Sequence, residues 1–348
     1  MATSARTSLP ILMTLYLEAG ESSLRLLGCD GEIWAERTIL ANVSKPGTVC
    51  VNYQILQQLV STLPDGPITL SLENTTLLMT QGQSEWKLMA LPGDDFPQPP
   101  EVQSAAELRL TIGEFRGLVD GVAYAVADDQ ARPVLTGVLF VYDGSVLTLV
   151  ATDTHRLAVR RLERDGIGSN INAVVPEKAL KAIKNLPISD DEEVVVKFDE
   201  TRLGVDAGQA KVVSQLLMGA YPNWERVVPA EHTRIWTVDR DELISNVNRA
   251  MILARDNANR IRFKGAGEQI VIMARSDEKG EAREEVAIIS QNGDLEIAFN
   301  GRYVLDALKA MKAQGVRAEM TEPARPAVFR PVDESDQQYC VIMPMALS

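Results

Sequence analysis

A pattern that returns about every 124 residues confines this chain to a fold built from copies of one unit. Leu9-Pro10-Ile11-Leu12 comes back 123 residues later as Arg132-Pro133-Val134-Leu135. Asp30 returns as Asp153 and again as Asp277. Val51-Asn52, Val175-Pro176 and Phe299-Asn300 stand 124 apart, and each ends a strand-like run and opens a helix. The helices read Tyr53 to Leu63, Glu177 to Leu186 and Gly301 to Lys312. Their apolar positions coincide, Leu56 with Leu180 and Val304, then Leu59 with Ile183 and Ala307, which gives each helix one buried stripe. Asn52 and Asn300 suit N-caps, and Pro176 suits a helix start.

The units also close alike, on Asp95-Phe96-Pro97, Ala220-Tyr221-Pro222 and Ile342-Met343-Pro344. The first two closures run into Pro-rich linkers, so the expected domains are 1–104, 105–231 and 232–348. Alternating runs predict strands over 70–80, 146–151, 192–198 and 268–274. Units two and three open with a strand and a helix, Leu108 to Thr111 then Gly113 to Val126, and Ile235 to Val238 then Asp241 to Ala254. The first unit has no such opening. Three full units of 124 need 24 residues more than the 348 present. The alignment is clean from Leu9 onward, so a truncated or mis-started first unit is expected in preference to a divergent one.

Composition removes several function classes. With 35 Lys plus Arg against 48 Asp plus Glu the net charge is −13, which rules out an overall basic surface but not a local basic stripe. Three distant cysteines, Cys29, Cys50 and Cys340, leave no CxxC for zinc or dithiol chemistry and fit a reducing cytoplasm. Two histidines, His155 and His232, are too few for a multi-histidine metal centre. No apolar run approaches a membrane span, and the first residues carry no signal core.

Three segments carry a family resemblance: 149–158 (LVATDTHRLA), 221–229 (YPNWERVVP) and 341–345 (VIMPM), with 135–140 (LTGVLF) in support. With the threefold repeat, they make the chain resemble the bacterial sliding clamps, the beta subunit of DNA polymerase III, over essentially its whole length. The resemblance implies an α+β DNA clamp fold of three similar domains, each with two helices and antiparallel sheet. It implies a head-to-tail homodimeric ring around duplex DNA, with helices inside and sheets outside. Such a ring tethers the polymerase catalytic subunit, meets the clamp loader and other clamp-binding-motif proteins, works in the cytoplasm and needs no cofactor, metal or catalytic residue.

Residue by residue, the resemblance implies a partner-peptide cleft of Leu135, Thr152, Thr154, His155, Arg156, Leu157, Pro222, Arg226, Val227, Val341, Met343, Pro344 and Met345. Apolar walls there would hold Leu or Phe anchors, and methionines would adapt to varied partners. Thr154 stands where the family often has Gly, and Ala346 where it often has a basic residue. The implied ring joint pairs Trp86 and Leu88 of one chain with Ile252 and Leu253 of the other, rimmed by Glu85, Lys87, Glu281 and Glu284.

A ring that slides needs loose phosphate attraction rather than base contacts. The expected DNA-facing residues are Lys178, Lys181 and Lys184 on one helix and Arg302, Lys309 and Lys312 on another, each segment net +2. Arg116, Arg249, Arg6 and Arg132 join them, Arg6 by its match to a DNA-contacting arginine of the family. The first-unit helix departs, with a polar face of Gln54, Gln57, Gln58 and Ser61.

Rival readings carry less. Asp153 and His155 could share a strand face as a catalytic pair, but no GxSxG accompanies them. No GxxxxGK[ST] is present for nucleotide phosphates. The acidic stretch 190–193 reads as a solvated turn before it reads as a cation site. A clamp-fold scaffold that never closes on DNA is the remaining alternative.

Overall fold

The computed structural model describes residues 9–103, 105–129, 131–292 and 294–347. Every strand pair among them is antiparallel. Five helices are described: α1 (Tyr53–Thr62), α2 (Ile112–Asp120), α3 (Glu177–Lys184), α4 (Arg240–Ala254) and α5 (Gly301–Ala310). Asn52 caps α1 by accepting from Ile55 N, and Asn300 caps α5 by accepting from Arg302 N. The repeated Pro-x-Leu runs fold as 3₁₀ turns, Pro10–Met13 and Pro133–Thr136, because proline presets φ at a helix start.

Three expectations shift. The run 70–80 is a hairpin rather than one strand, Thr69–Glu73 and Thr76–Gln81, turned at Asn74 with φ +54°. The helix expected to reach Val126 stops at Asp120, and the Gly121 carbonyl accepts from the buried Gln338 amide instead. α5 ends at Ala310, so Lys312 follows the helix rather than lying on it. Among the described residues the first repeat holds a single α-helix, α1.

The chain divides into two compact units, and the division passes through α2. The first comprises the chain up to Phe115 with Gly166–Ser169 and Lys178–Leu216. Its 12-stranded sheet runs continuously because strand Ile33–Leu40 pairs with Ala210–Gln215, Ala35 opposite Val212. A core of Leu15, Leu17, Val51, Leu77 and Met79 lies under α1.

The second unit comprises Arg116–Asp165, Asn170–Glu177 and Leu217–Ser348. In its nine-stranded sheet Arg156–Glu163 pairs with Gln338–Ile342, Ala158 opposite Cys340. A separate four-stranded sheet has the order Gly280–Ala287, Gln269–Ser276, Arg260–Ala266, Leu295–Asn300. Leu243, Val247, Ala250 and Ala254 of α4 pack on one face of it, against Ile261, Phe263, Ile270, Ile272 and Val286.

Strands Ile33–Leu40, Arg156–Glu163 and Gly280–Ala287 are the same strand in three copies, at offsets of 123 and 124. The first two each join a neighbouring repeat within their own unit. The third is an edge strand, paired only with Gln269–Ser276 among the described residues.

Candidate cleft and basic helices

The hairpin between Val146–Thr152 and Arg156–Glu163 organises the site. Asp153 Oδ1 accepts from the backbone N–H groups of His155 and Arg156, both at 2.9 Å. Thr152 Oγ1 donates to Arg156 O at 2.7 Å and accepts from Thr154 N at 3.1 Å. Thr154 between them has φ +77°, a left-handed conformation a β-branched residue adopts at a cost.

Arg156 is buried and holds two carboxylates, Asp153 at 3.0 Å through Nε and Asp306 of α5 at 2.6 Å through Nη1. Its guanidinium lies 4.4 Å over the Tyr303 ring and 5.4 Å from the Tyr124 ring. Burial works to lower the pKa of this guanidinium, but the two carboxylates outweigh it and the net shift is upward. Asp153 is thus spent on backbone amides and on Arg156. The His155 ring stacks on Tyr303 at 6.4 Å instead of pairing with it. Burial pushes the neighbouring Cys340 thiol up to about 12, so this cysteine is a packing group and not a nucleophile.

An apolar patch adjoins the hairpin. Leu157 and Val341 face each other across paired strands, both buried, in one cluster with Val159 and Val328. Val227, Tyr221, Trp224 and Val134 pack on the same cluster half-buried. Met343 N donates to His155 O at 2.9 Å, which ties the C-terminal tail to the hairpin. Met343, Pro344 and Met345 are half-buried, and Thr154, His155, Pro222 and Arg226 are exposed. Leu135 and Thr152 are buried, Thr152 with its hydroxyl already used. The site therefore includes Tyr221, Trp224, Tyr303 and Asp306, which sequence reasoning did not assign to it. Tyr221 and Trp224 lie inside the motif 221–229, whereas Asp306 carries no local signal in the sequence beyond its place on a helix.

The basic residues divide by their partners. Lys178, expected to face DNA, is bonded to the buried carboxylate of Asp30. Burial works to raise the pKa of that carboxyl, but Lys178 and the backbone N–H groups of Glu32 and Ile33 hold it below the usual range. Arg249 is tied to Glu284 and Asn246, and Arg132 to Asp129. Lys181 is exposed on α3, while Lys184 of that helix and Arg116 on α2 are half-buried. Arg302 and Lys309 are exposed on α5, and Lys312 just past it, with no ion pair among the described residues. Arg6 lies outside the described residues. Of the joint residues, Trp86 and Leu88 pack half-buried on the first-unit core, Ile252 is exposed and Leu253 is half-buried.

Family models for the DNA polymerase III beta subunit match in chain order. The N-terminal domain covers residues 2–100, the central domain 109–223 and the C-terminal domain 225–346. This chain belongs to the bacterial sliding clamps. The clamp is 32% identical to the beta sliding clamp of Staphylococcus aureus strain Mu50 over 355 residues, 99% of this chain and 94% of the relative. Its fold matches a crystal structure of the DnaN sliding clamp of Pseudomonas aeruginosa with a TM-score of 0.94 at 30% identity, over 99% of this chain and 94% of that one. The DNA polymerase III beta subunit of Thermotoga maritima has the same fold at 24% identity, with a TM-score of 0.92 over 100% of this chain and 95% of that one.

Proposed function

We propose that two copies of this clamp close head to tail around duplex DNA, and that the cleft then holds the polymerase on the template. One observation carries the reading. The chain makes the same strand-to-strand joint twice, Ile33–Leu40 with Ala210–Gln215 and Arg156–Glu163 with Gln338–Ile342. The third copies of those strands, Gly280–Ala287 and Ser84–Leu91, both keep a free edge; over residues 84–89 the latter pairs only with Thr76–Gln81 among the described residues. An open edge at each end is what a head-to-tail closure consumes, and it removes two aggregation-prone edges per chain.

The three domains then run 1–104, 105–231 and 232–348, with Trp86 and Leu88 against Ile252 and Leu253 of the partner subunit. Lys181, Lys184, Arg302, Lys309 and Lys312 supply a loose attraction for phosphates that permits sliding. The apolar patch of Leu157, Val227 and Val341, with Met343, Pro344 and Met345, takes short hydrophobic peptides of the polymerase catalytic subunit, the clamp loader and other partners in turn. The protein is a non-catalytic accessory factor of the cytoplasm.

Light scattering across micromolar to nanomolar concentration should give a mass of 76.2 kDa, twice 38.1 kDa. The protein should be retained on nicked circular DNA and released when the circle is linearised. A 38.1 kDa species throughout, with no preference for circles, would leave a clamp-fold scaffold that does not encircle DNA.

A further inference from the structure

The first repeat is finished differently from the other two. After α3 and α5 comes a strand that pairs with the strand opening its own repeat, Glu193–Phe198 with Ala106–Thr111 and Gly315–Met320 with Arg234–Asp239. The strand after α1, Thr69–Glu73, ends the 12-stranded sheet instead, paired only with Thr76–Gln81 among the described residues. In the third repeat α4 lies across Gln269–Ser276 and Gly280–Ala287 and against α5. No described helix takes that place in the first repeat.

The side chains record the difference. Leu17 faces Leu26 and Leu24 faces Ile39, as Phe263 faces Ile272 and Ile270 faces Val286. Beneath α4 the residues Ile270, Ile272 and Val286 are all buried, whereas Leu24 and Leu26 are half-buried and Ile39 is 37% exposed. Eight residues past each capping asparagine, Leu308 of α5 is 0% exposed and Val60 of α1 is 47% exposed. Leu72, on the strand with the open edge, is 49% exposed. The positions that α4 seals in the third repeat thus form an apolar trough in the first, beside a row of unpaired backbone groups. The ring joint proposed above uses Ser84–Leu91, and Thr76–Gln81 stands between that strand and Thr69–Glu73, so closure leaves this edge uncovered.

We propose that this surface takes up a strand and an amphipathic helix from a separate polypeptide. The strand adds to the edge at Thr69–Glu73, and the helix lays an aliphatic stripe on Leu24, Leu26, Ile39 and Val60. The other repeats show what fits. In the third, a strand leads straight into a helix whose Leu243, Val247, Ala250 and Ala254 form the stripe. An apolar trough and an open edge side by side select such a segment over a lone helix, which would leave the edge idle, and over a lone strand, which would leave the trough wet.

The probe is a fluorescent peptide with the sequence of Arg234–Ala254, titrated into the full-length protein. It should bind with a Kd of about 10 μM, gain helical ellipticity, and slow amide exchange over Thr69–Glu73. A shuffled peptide without the apolar spacing should not bind. The double variant Val60→Asp/Leu72→Asp should weaken binding at least about tenfold, and the milder Val60→Ser/Leu72→Thr should weaken it in the same direction, with circular dichroism confirming the fold. Both positions are half-exposed, so the substitutions leave the buried core alone. No binding up to about 100 μM, equal binding of the shuffled peptide, or binding unchanged in both variants overturns the proposal. A free peptide that is inert, while the same segment fused ahead of Met1 through a Gly/Ser linker protects Thr69–Glu73, overturns supply by a separate polypeptide in favour of supply within the chain.

Discussion

At Thr154 a side chain occupies a backbone conformation that favours glycine. The first repeat shows what that turn prefers: Asp30 makes the same pair of bonds, to Glu32 N and Ile33 N, and Gly31 supplies φ +99°. Gly31 lies 123 residues before Thr154, and Gly144 after Asp143 repeats the arrangement at φ +102°. Thr154→Gly should therefore stabilise the protein by about 1 kcal/mol, read as a higher denaturant midpoint at unchanged slope. An unchanged or lower midpoint would mean the Thr152 and Asp153 bonds already absorb the strain. The sequence alone exposed this site, because the family resemblance marked Thr154 as a departure from glycine. It could not reveal that the departure costs backbone energy, since φ is not written in a side chain.

At the scale of the element, α5 faces two ways. Tyr303 and Asp306 meet the cleft hairpin through Arg156, while Arg302 and Lys309 stay in solvent. Arg156→Ala leaves two carboxylates near each other without their cation and removes the guanidinium from two rings. It should cost about 3 kcal/mol or more and weaken peptide binding, measured by denaturation and by anisotropy. Arg156→Lys should rescue little, because an ammonium cannot fork to two acids and stack at once. The helical period and the Asn caps made α1, α3, α4 and α5 legible from the sequence. The hairpin within 70–80 was missed although the polar run Glu73-Asn74-Thr75-Thr76 interrupts the alternation and places a turn residue at its centre. Partners such as Arg156 and Asp306 lie 150 residues apart, and no local pattern announces them.

At the scale of the molecule, the repeat fixes how copies should register. Gly82 and Gly208, 126 residues apart, hold equivalent hairpin turns at φ +60° and +71°, which makes Trp86 the counterpart of Val212. Val212 lies opposite Ala35, whose third copy is Ala282. Ala282 should therefore meet Trp86 of the partner subunit. A protein carrying Ala282→Cys and Trp86→Cys should oxidise to a covalent dimer, since directly opposed residues lie within disulfide reach. Shifting one cysteine to Glu281 or Arg283 should abolish the crosslink; efficient crosslinking at those positions instead would refute the register.

The joints also differ in what fastens them. Lys178 grips Asp30 beside the first, and Arg156 rivets two acids and two rings beside the second. At the joint proposed between two copies the counterpart of Lys178 is Gln54, which has no charge to offer. If two copies close as proposed, the seam between them is the least riveted of the three, so a ring under strain should part there and leave each chain intact.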